Sequence, residues 1–304
     1  MHPGQVTQSV AEAAESVAEQ VPELAGLPVE PVRSNGTVVA PFRVGEAFLA
    51  RFPLVPDGTD KARARLQAAA DHALFLTGRL PVDVPRPVAV CEPTASYRGY
   101  WSVWSWVPGE SLDRARVDPG VLARDLARLL RSFNAQLTGG VSFIADDADR
   151  TWNGLGRGGL PLADTEWVRR SIASAAHLID PGAATAVWER ALAAPRLDGP
   201  PSVIHGDPMP GNLVVRDGRL AGLIDITARV VGDPAADLQP AWTLFDEPER
   251  SVFRCAMEAD DAAWERGRGW AFEMAIGAVA YYEHSNLEFS ALAARTLNRL
   301  LEDE

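Results

Sequence analysis

Lysine is nearly missing from this sequence. Of its 29 basic side chains one is a lysine, Lys61, and the rest are arginine, a bias that reads as codon composition. Cysteine is as scarce. The two present, Cys91 and Cys255, lie far apart with no metal-ligand or dithiol spacing. That excludes a disulfide framework, a zinc knuckle and a redox motif, and both read as buried thiols in a reducing cytosol. No apolar run reaches the length of about 20 residues that a membrane-crossing helix needs. The opening Met1-His2-Pro3-Gly4 is polar and reads as no secretory signal, so a cytoplasmic location is expected. Internal repeats and low-complexity tracts are absent, and the 23 prolines and 25 glycines are spread over loops. A surplus of positive charge is missing too. The net charge of −12 argues against nucleic acid as a partner, because phosphate backbones require a basic face.

The 304 residues allow one large domain or two modest ones, and a hydrophobic content of 47% is ordinary for a globular protein. Charge is uneven along the chain. Residues 1–109 carry 9 basic and 11 acidic side chains, and residues 110–304 carry 20 and 30. The second part therefore holds most of the negative charge, which confers solubility and is compatible with a cationic small substrate drawn to an acidic cleft.

One stretch organises the rest. Between 203 and 238, Asp207, Asn212 and Asp225 stand at fixed intervals. Asp207 and Asn212 share a short loop punctuated by Pro208, Pro210 and Gly211, and such loops leave side chains available for chemistry. Leu213 to Val215 reads as a strand, Asp217-Gly218 as a hairpin turn and 220–224 as the returning strand. A hairpin returns to where it began, so Asp225 is expected beside Asn212. A carboxylate and an amide oxygen facing one point suit Mg²⁺, a hard cation that takes one or two carboxylates together with phosphate oxygens. Asp207 would accept or orient the proton of an attacking hydroxyl. An isolated Asp-x-x-x-x-Asn would do no more than cap turns.

His205-Gly206-Asp207 through Asn212, then Ile224-Asp225, then Gly232-Asp233-Pro234-Ala235-Ala236-Asp237-Leu238 resembles the aminoglycoside/macrolide phosphotransferase family, kinase-like enzymes that phosphorylate hydroxyls of small molecules. The resemblance extends over nearly the whole chain and is strong in 203–238. It implies an α+β, bilobal protein-kinase-like fold, with a small antiparallel-sheet N-lobe (1–103), a hinge (104–109) and a larger, mostly helical C-lobe (110–304), and the nucleotide between. It implies ATP or GTP as co-substrate, Mg²⁺ held by Asn212 and Asp225, and Asp207 as the catalytic residue. His205, Asp233 and Asp237 would support the loop by packing and hydrogen bonds. The acceptor is a small hydroxyl-bearing molecule, an antibiotic or a metabolite. The reading from a different class is a nucleotide- or ligand-binding pseudokinase with little transfer activity.

Along the chain, Val6, Val10, Ala13, Val17 and Val21 recur at helical spacing over 5–21. Strands follow at about 29–34, 38–44 and 47–54, an antiparallel meander with turns at Asn35-Gly36 and Gly45-Glu46. Ser34 to Thr37 takes the place of the phosphate-covering loop, without a G-x-G-x-x-G pattern, so Ser34 and Gly36 are nucleotide-side candidates. Arg51 is a single cation among apolar strand residues. A buried charge needs a partner, and in the family a strand-borne cation contacts nucleotide phosphates. The helix read at 61–79 lacks the glutamate that kinase-like folds place there to pair with that cation. Gln67, Asp71 and His72 are the nearest substitutes, with Asp71 the best anion. Strands at 85–92 and 100–107 end in Pro108-Gly109-Glu110. There the backbone of Trp104, Ser105 and Trp106 would meet the purine edge, although strand tryptophans usually pack in cores.

From 119 onward the pattern is helical, at 121–137, 165–179, 183–193, 246–257, 262–282 and 287–301. An irregular segment, 139–162, holds Asp146, Asp147, Asp149 and the run Gly154-Leu155-Gly156-Arg157-Gly158-Gly159. It follows no strand, so it reads as a mobile substrate-side loop and not as a phosphate loop. Trp242, Tyr281 and Glu283 are the candidates to line the acceptor pocket.

Overall fold

The computed structural model describes residues 4–34, 36, 38–136, 158–159, 161–226 and 230–302. Asn35, Thr37, Asp146, Asp147, Asp149 and Gly154 to Arg157 lie outside the described residues. The chain divides into two compact units, Met1–Ser111 with Ala221–Arg229, and Leu112–Leu220 with Val230–Glu304. Sequence reasoning assigned 221–229 to the helical part. In the structure the segment belongs to the first unit, where Asp83 exchanges backbone hydrogen bonds with it (Asp83 N to Ala221 O, 2.9 Å; Leu223 N to Asp83 O, 3.0 Å).

The first unit begins with α1 (Val10–Gln20). Its start is a reciprocal cap: Ser9 Oγ accepts from Glu12 N at 3.2 Å, and the Glu12 carboxylate accepts from Ser9 N at 2.8 Å. Five strands follow in one antiparallel sheet: β1 (Val29–Pro31), β2 (Val39–Val44), β3 (Phe48–Pro53), β4 (Pro87–Cys91) and β5 (Trp101–Ser105), in spatial order β1-β2-β3-β5-β4. The helix α2 (Asp60–Leu76) lies between β3 and β4 in sequence, capped by Thr59 Oγ1. Successive strand side chains point to opposite faces. Along β3, Ala50 and Phe52 enter the core shared with Ala13, Val17, Phe42 and Trp101, and Arg51 points to the other face. Phe52 is the centre of that core, stacked on Trp101 at 4.5 Å and edge-on to Tyr97 at 5.1 Å. Cys91 is buried here and its thiol is pushed up to about 12 by desolvation. Cys255, expected inside, is exposed: it lies on the outward face of a surface helix whose buried residues are Arg250 and Phe253.

A short strand, β6 (Glu110–Ser111), ends the first run. The second unit opens with α3 (Pro119–Asn134), whose start Asp118 caps by accepting from Val121 N at 2.9 Å. Leu122, Leu126, Leu129, Leu130 and Phe133 form its buried stripe. Next come α4 (Glu166–Ser174) and α5 (Pro181–Ala193), then β7 (Ser202–Ile204). The strands β8 (Leu213–Arg216) and β9 (Arg219–Leu223, of which 221–223 are counted with the first unit) flank Asp217-Gly218, both at positive φ (53° and 71°) as a two-residue hairpin turn demands. The strand β10 (Val230–Gly232) pairs antiparallel with β7, Ile204 opposite Val230. Helices α6 (Pro240–Thr243), α7 (Glu249–Met257), α8 (Asp261–Val279) and α9 (Leu287–Glu302) complete the unit.

Gly158 and Gly159, read as part of a mobile loop, pack against β10. Gly158 O accepts from Asp233 N at 2.9 Å. A Cβ on Gly232 would lie 1.9 Å from that same carbonyl oxygen, so only glycine allows the two backbones to approach this closely. Among the described residues, no helix is long and apolar enough to cross a membrane.

Candidate active site

The second unit carries a loop whose backbone is held almost peptide by peptide. The side chain of Asp237 sits under it, wholly buried in the short 3₁₀ turn Pro234–Leu238. Its carboxylate accepts from Gly206 N (2.8 Å) and His205 N (3.2 Å), and Asn134 Nδ2 donates to it at 2.9 Å. The same Asn134 amide donates to Val203 O at 3.0 Å. Burial pushes the Asp237 pKa up, and the N–H donors from Gly206, His205 and Asn134 pull it back. All three of these partners are donors, an arrangement made for a carboxylate and not for a carboxylic acid, whose O–H would need an acceptor.

His205 is buried and meets Phe133 edge-on at 5.7 Å. Its Nδ1 accepts from Asp207 N at 3.2 Å, which assigns the neutral ring's proton to Nε2. Gly206 has φ +76°, a conformation natural to glycine. Asp207 follows, half-buried, its carbonyl accepting from Met209 N at 2.8 Å. Asn212 Nδ2 donates both to Asp207 O (2.9 Å) and to the Asp207 carboxylate (3.2 Å). Both contacts are acceptors, so the amide nitrogen is the atom facing Asp207 and Oδ1 is turned away.

Asp233 lies at the start of the 3₁₀ turn. It accepts from Ala235 N at 3.0 Å and pairs with Arg266 at 2.6 Å; both side chains are nearly buried, and Arg266 also donates to Pro195 O at 2.7 Å. Its side-chain contacts therefore run to its own turn and to α8, and Arg266 carries the connection on to the α5–β7 segment.

In the first unit, Asp225 is in the left-handed region (φ 60°), where Asp is tolerated better than most residues and strain often marks function. Its carboxylate is 40% exposed and forms an ion pair with Arg51. Helix α2 was expected to supply a partner for Arg51 through Asp71. Asp71 is instead exposed and bonded along its own helix to Gln67 (2.9 Å), because the face it occupies points to water. His72, on the neighbouring face, is buried. Gly36 N donates to Ser34 Oγ at 3.0 Å, a local turn at the β1–β2 connection. The N–H groups of Ser105 and Trp106 donate to Arg86 O (2.8 Å) and Ala47 O (2.7 Å), so these two donors are engaged by neighbouring backbone. The Trp104 side chain is core, its Nε1 donating to Ser102 Oγ at 2.8 Å. Trp106 is half-buried with the Arg43 guanidinium 4.7 Å above its ring.

The acceptor-pocket candidates do not gather at the loop. Trp242 is fully buried, packed on Trp264 at 4.6 Å with Arg268 over its ring, so it lines no pocket. Tyr281 and Glu283 lie beyond the C-terminal end of α8. The loop-side end of α8 is fixed at Gly267, where an added Cβ would meet Leu238 at 2.7 Å. From there to Val279 is roughly 18 Å at the helical rise of about 1.5 Å per residue. Tyr281 is 54% exposed, and Glu283 pairs with His177 at 3.0 Å beside a small groove lined by Leu178, Val279 and Ser290. Asn134 and Gln239 were missed by sequence reasoning. Each is a lone amide at the end of an apolar helical stretch or directly after Asp237-Leu238, and that position is the one signal the sequence offers.

Comparison with known proteins follows the same line. Residues 39–270 match the family described as "phosphotransferase enzyme family". Sequence comparison with curated proteins finds no match. Among solved structures, the chain is similar to wild-type aminoglycoside 2'-phosphotransferase-IIIa in complex with GDP, with a TM-score of 0.65 at 15% identity over 97% of this chain and 99% of that one. It is similar to the ternary complex of APH(2")-IIa with streptomycin and ATP (0.56, 16%, 98% of each chain). A third is macrolide 2'-phosphotransferase MphH from Brachybacterium faecium (0.54, 21%, 95% of this chain and 97% of that one).

Proposed function

This chain belongs to the phosphotransferase enzyme family, and from that premise we propose that it is a small-molecule kinase transferring the γ-phosphoryl group of ATP or GTP to a hydroxyl. The observation that supports the reading best is the loop from His205 to Asn212, with a half-buried carboxylate at Asp207 on a backbone held by buried side chains. In the transfer the acceptor oxygen bonds to the γ-phosphorus, the bond from that phosphorus to the bridging oxygen breaks, and the nucleoside diphosphate leaves. Asp207 orients the hydroxyl and takes its proton. Arg51 steadies the donor phosphates, with the Ser34–Gly36 turn and the Trp104–Trp106 segment on the nucleotide side.

Asn212 and Asp225 are the residues that would hold Mg²⁺. The fit rests on the donor chemistry: an amide oxygen turned away from Asp207 and a carboxylate 40% exposed are hard oxygen ligands. When bound, the ion neutralises phosphate charge that develops during transfer. The excess of acidic residues in 110–304 favours a cationic acceptor, and the aminoglycosides in the complexes with similar structures are one such class.

The second reading, a nucleotide-binding pseudokinase, is favoured by one observation: α2 presents no carboxylate to Arg51, which pairs with Asp225 instead. Both readings are tested by phosphate transfer from ATP and GTP to streptomycin, kanamycin, gentamicin and a macrolide, with Asp207→Ala alongside. Product that falls by about 10²–10⁴ in Asp207→Ala, the usual scale for a positioned acid–base group, supports the kinase. Full turnover by Asp207→Ala refutes the role given to Asp207. Nucleotide binding independent of Mg²⁺, without transfer, supports the pseudokinase.

A further inference from the structure

We propose that Gln239 is a positioning residue for Asp207, acting through the peptide that joins Gly206 to Asp207. The inference rests on the reading of Asp207 as the group that orients the acceptor hydroxyl. A trans peptide presents its C=O and N–H on opposite edges of one plane. Here both edges of that plane are taken by side chains. Gln239 Nε2 donates to Gly206 O at 2.9 Å, and Asp207 N donates to His205 Nδ1 at 3.2 Å. The plane cannot rotate about its long axis without breaking both bonds. Its rotation is what would swing the Cα–Cβ direction of Asp207, since Gly206, at φ +76°, offers no side chain to resist it.

The two planes before it are held by a different group. Asp237 takes the N–H of His205 and of Gly206. No contact of Asp237 reaches the carbonyl of Gly206, so Gln239 adds a constraint that Asp237 does not duplicate. Gln239 is itself fixed. It is 0% exposed, its second amide hydrogen goes to Ala236 O at 2.8 Å, and its own carbonyl accepts from Trp242 N and Thr243 N at 3.0 and 3.1 Å. Fully buried Trp242 thus anchors the turn that aims the amide. The amide orientation is forced, because a flip would set Oε1 against two carbonyl oxygens. The consequence is visible: Oε1 is buried and has no hydrogen-bond partner among the described residues. An amide placed for general packing would satisfy both ends. This one satisfies two carbonyls at the expense of its own oxygen.

The experiment compares wild type, Gln239→Met, Gln239→Asn and Asp207→Ala. Methionine keeps the length and removes both donors; asparagine keeps the amide and cannot span to both carbonyls. Turnover of Mg²⁺–ATP and Mg²⁺–GTP is measured with kanamycin and with water as acceptor, nucleotide Kd by calorimetry, and amide hydrogen exchange over 204–212 by mass spectrometry. We expect turnover in the Gln239 variants to fall about 10–100-fold, the scale of a misplacement near 1 Å, with nucleotide Kd within about twofold. Exchange at 205–207 should quicken and exchange elsewhere stay put. Where Gln239→Met does not fold, Gln239→Asn carries the same readings. Wild-type exchange over 205–207, or wild-type turnover in a variant when Asp207→Ala is inactive, overturns the positioning role and leaves the reading of Asp207 standing. Loss of nucleotide binding together with turnover also overturns it, as a general structural effect. An active Asp207→Ala overturns the reading of Asp207 and this inference with it.

Discussion

Replacing Asp237 by asparagine tests whether the buried carboxylate holds the loop. The side chain is 0% exposed and receives three N–H groups, from Gly206, Asn134 and His205. Asparagine is isosteric, so no cavity opens and only the hydrogen-bond chemistry changes. With its nitrogen in place of Oδ2 the amide would face two donors, His205 N and Asn134 Nδ2. With its nitrogen in place of Oδ1 it would face one, Gly206 N. The second orientation is the cheaper. It loses one hydrogen bond to a charged acceptor, about 1.5–3 kcal/mol, and leaves Gly206 N–H buried without a partner. The two surviving bonds weaken because their acceptor is neutral. Against this stands the burial that raises the Asp237 pKa, a cost of charge that asparagine does not carry. The net expectation is about 2 kcal/mol of destabilisation, near 4–8 °C in the thermal midpoint of a unit of this size. Calorimetry at neutral pH measures it, with Asp237→Ala as the larger perturbation because it strands all three donors. An Asp237→Asn protein as stable as wild type would refute the reasoning. It would mean that the cost of burying the charge cancels the gain from its donors.

Arg51→Gln should raise the Kd for Mg²⁺–nucleotide by about 10–100-fold, the worth of a charge-assisted hydrogen bond; calorimetry giving an unchanged Kd removes Arg51 from the phosphate contacts. Gly232→Ala should unfold the second unit or displace Gly158, because a Cβ 1.9 Å from a backbone oxygen has no flexible neighbour to give way; a normal thermal midpoint would contradict that packing. Arg219 donates two hydrogen bonds to Asp125 (2.7 and 2.6 Å), and they hold the Asp125 pKa below its usual 3.8. A depressed carboxylate pKa stabilises the fold above the unfolded value and loses that contribution as pH falls through the folded one. Urea midpoints of wild type and Arg219→Met should therefore differ at pH 5 and converge as pH drops below about 3.8; a gap that stays constant would show that the pair contributes through packing alone.

Local pattern carried much of the fold. The strand read at 47–54 appears as β3 (Phe48–Pro53), and the Asp217-Gly218 pair produced the turn its backbone preferences dictate. The helices at 121–137 and 183–193 appear at α3 and α5 with capping residues just ahead of them. Partners across the chain were less legible. Period tells which face of an element is buried and says nothing of what lies opposite. Asp71 illustrates the gap. It was the nearest anion in type and position for Arg51, yet helix α2 turns it to water, and Arg51 meets a residue 174 positions away. Trp242 shows the reverse error, an aromatic assigned to a pocket that in the fold is wholly interior.

What the sequence determined by itself is the chemical inventory and its local geometry: one Asp-to-Asn loop, a hairpin behind it, an arginine among apolar residues of the third strand, an acidic balance. These follow from backbone preferences and side-chain periods acting over a few residues. Tertiary structure alone decided what holds that inventory in place. Asn134 reaches Asp237 across 103 positions, and Gln239 reaches Gly206 across 33. A buried amide or carboxylate is stable only where donors and acceptors converge on it, and that convergence is a property of packed elements, not of any single segment.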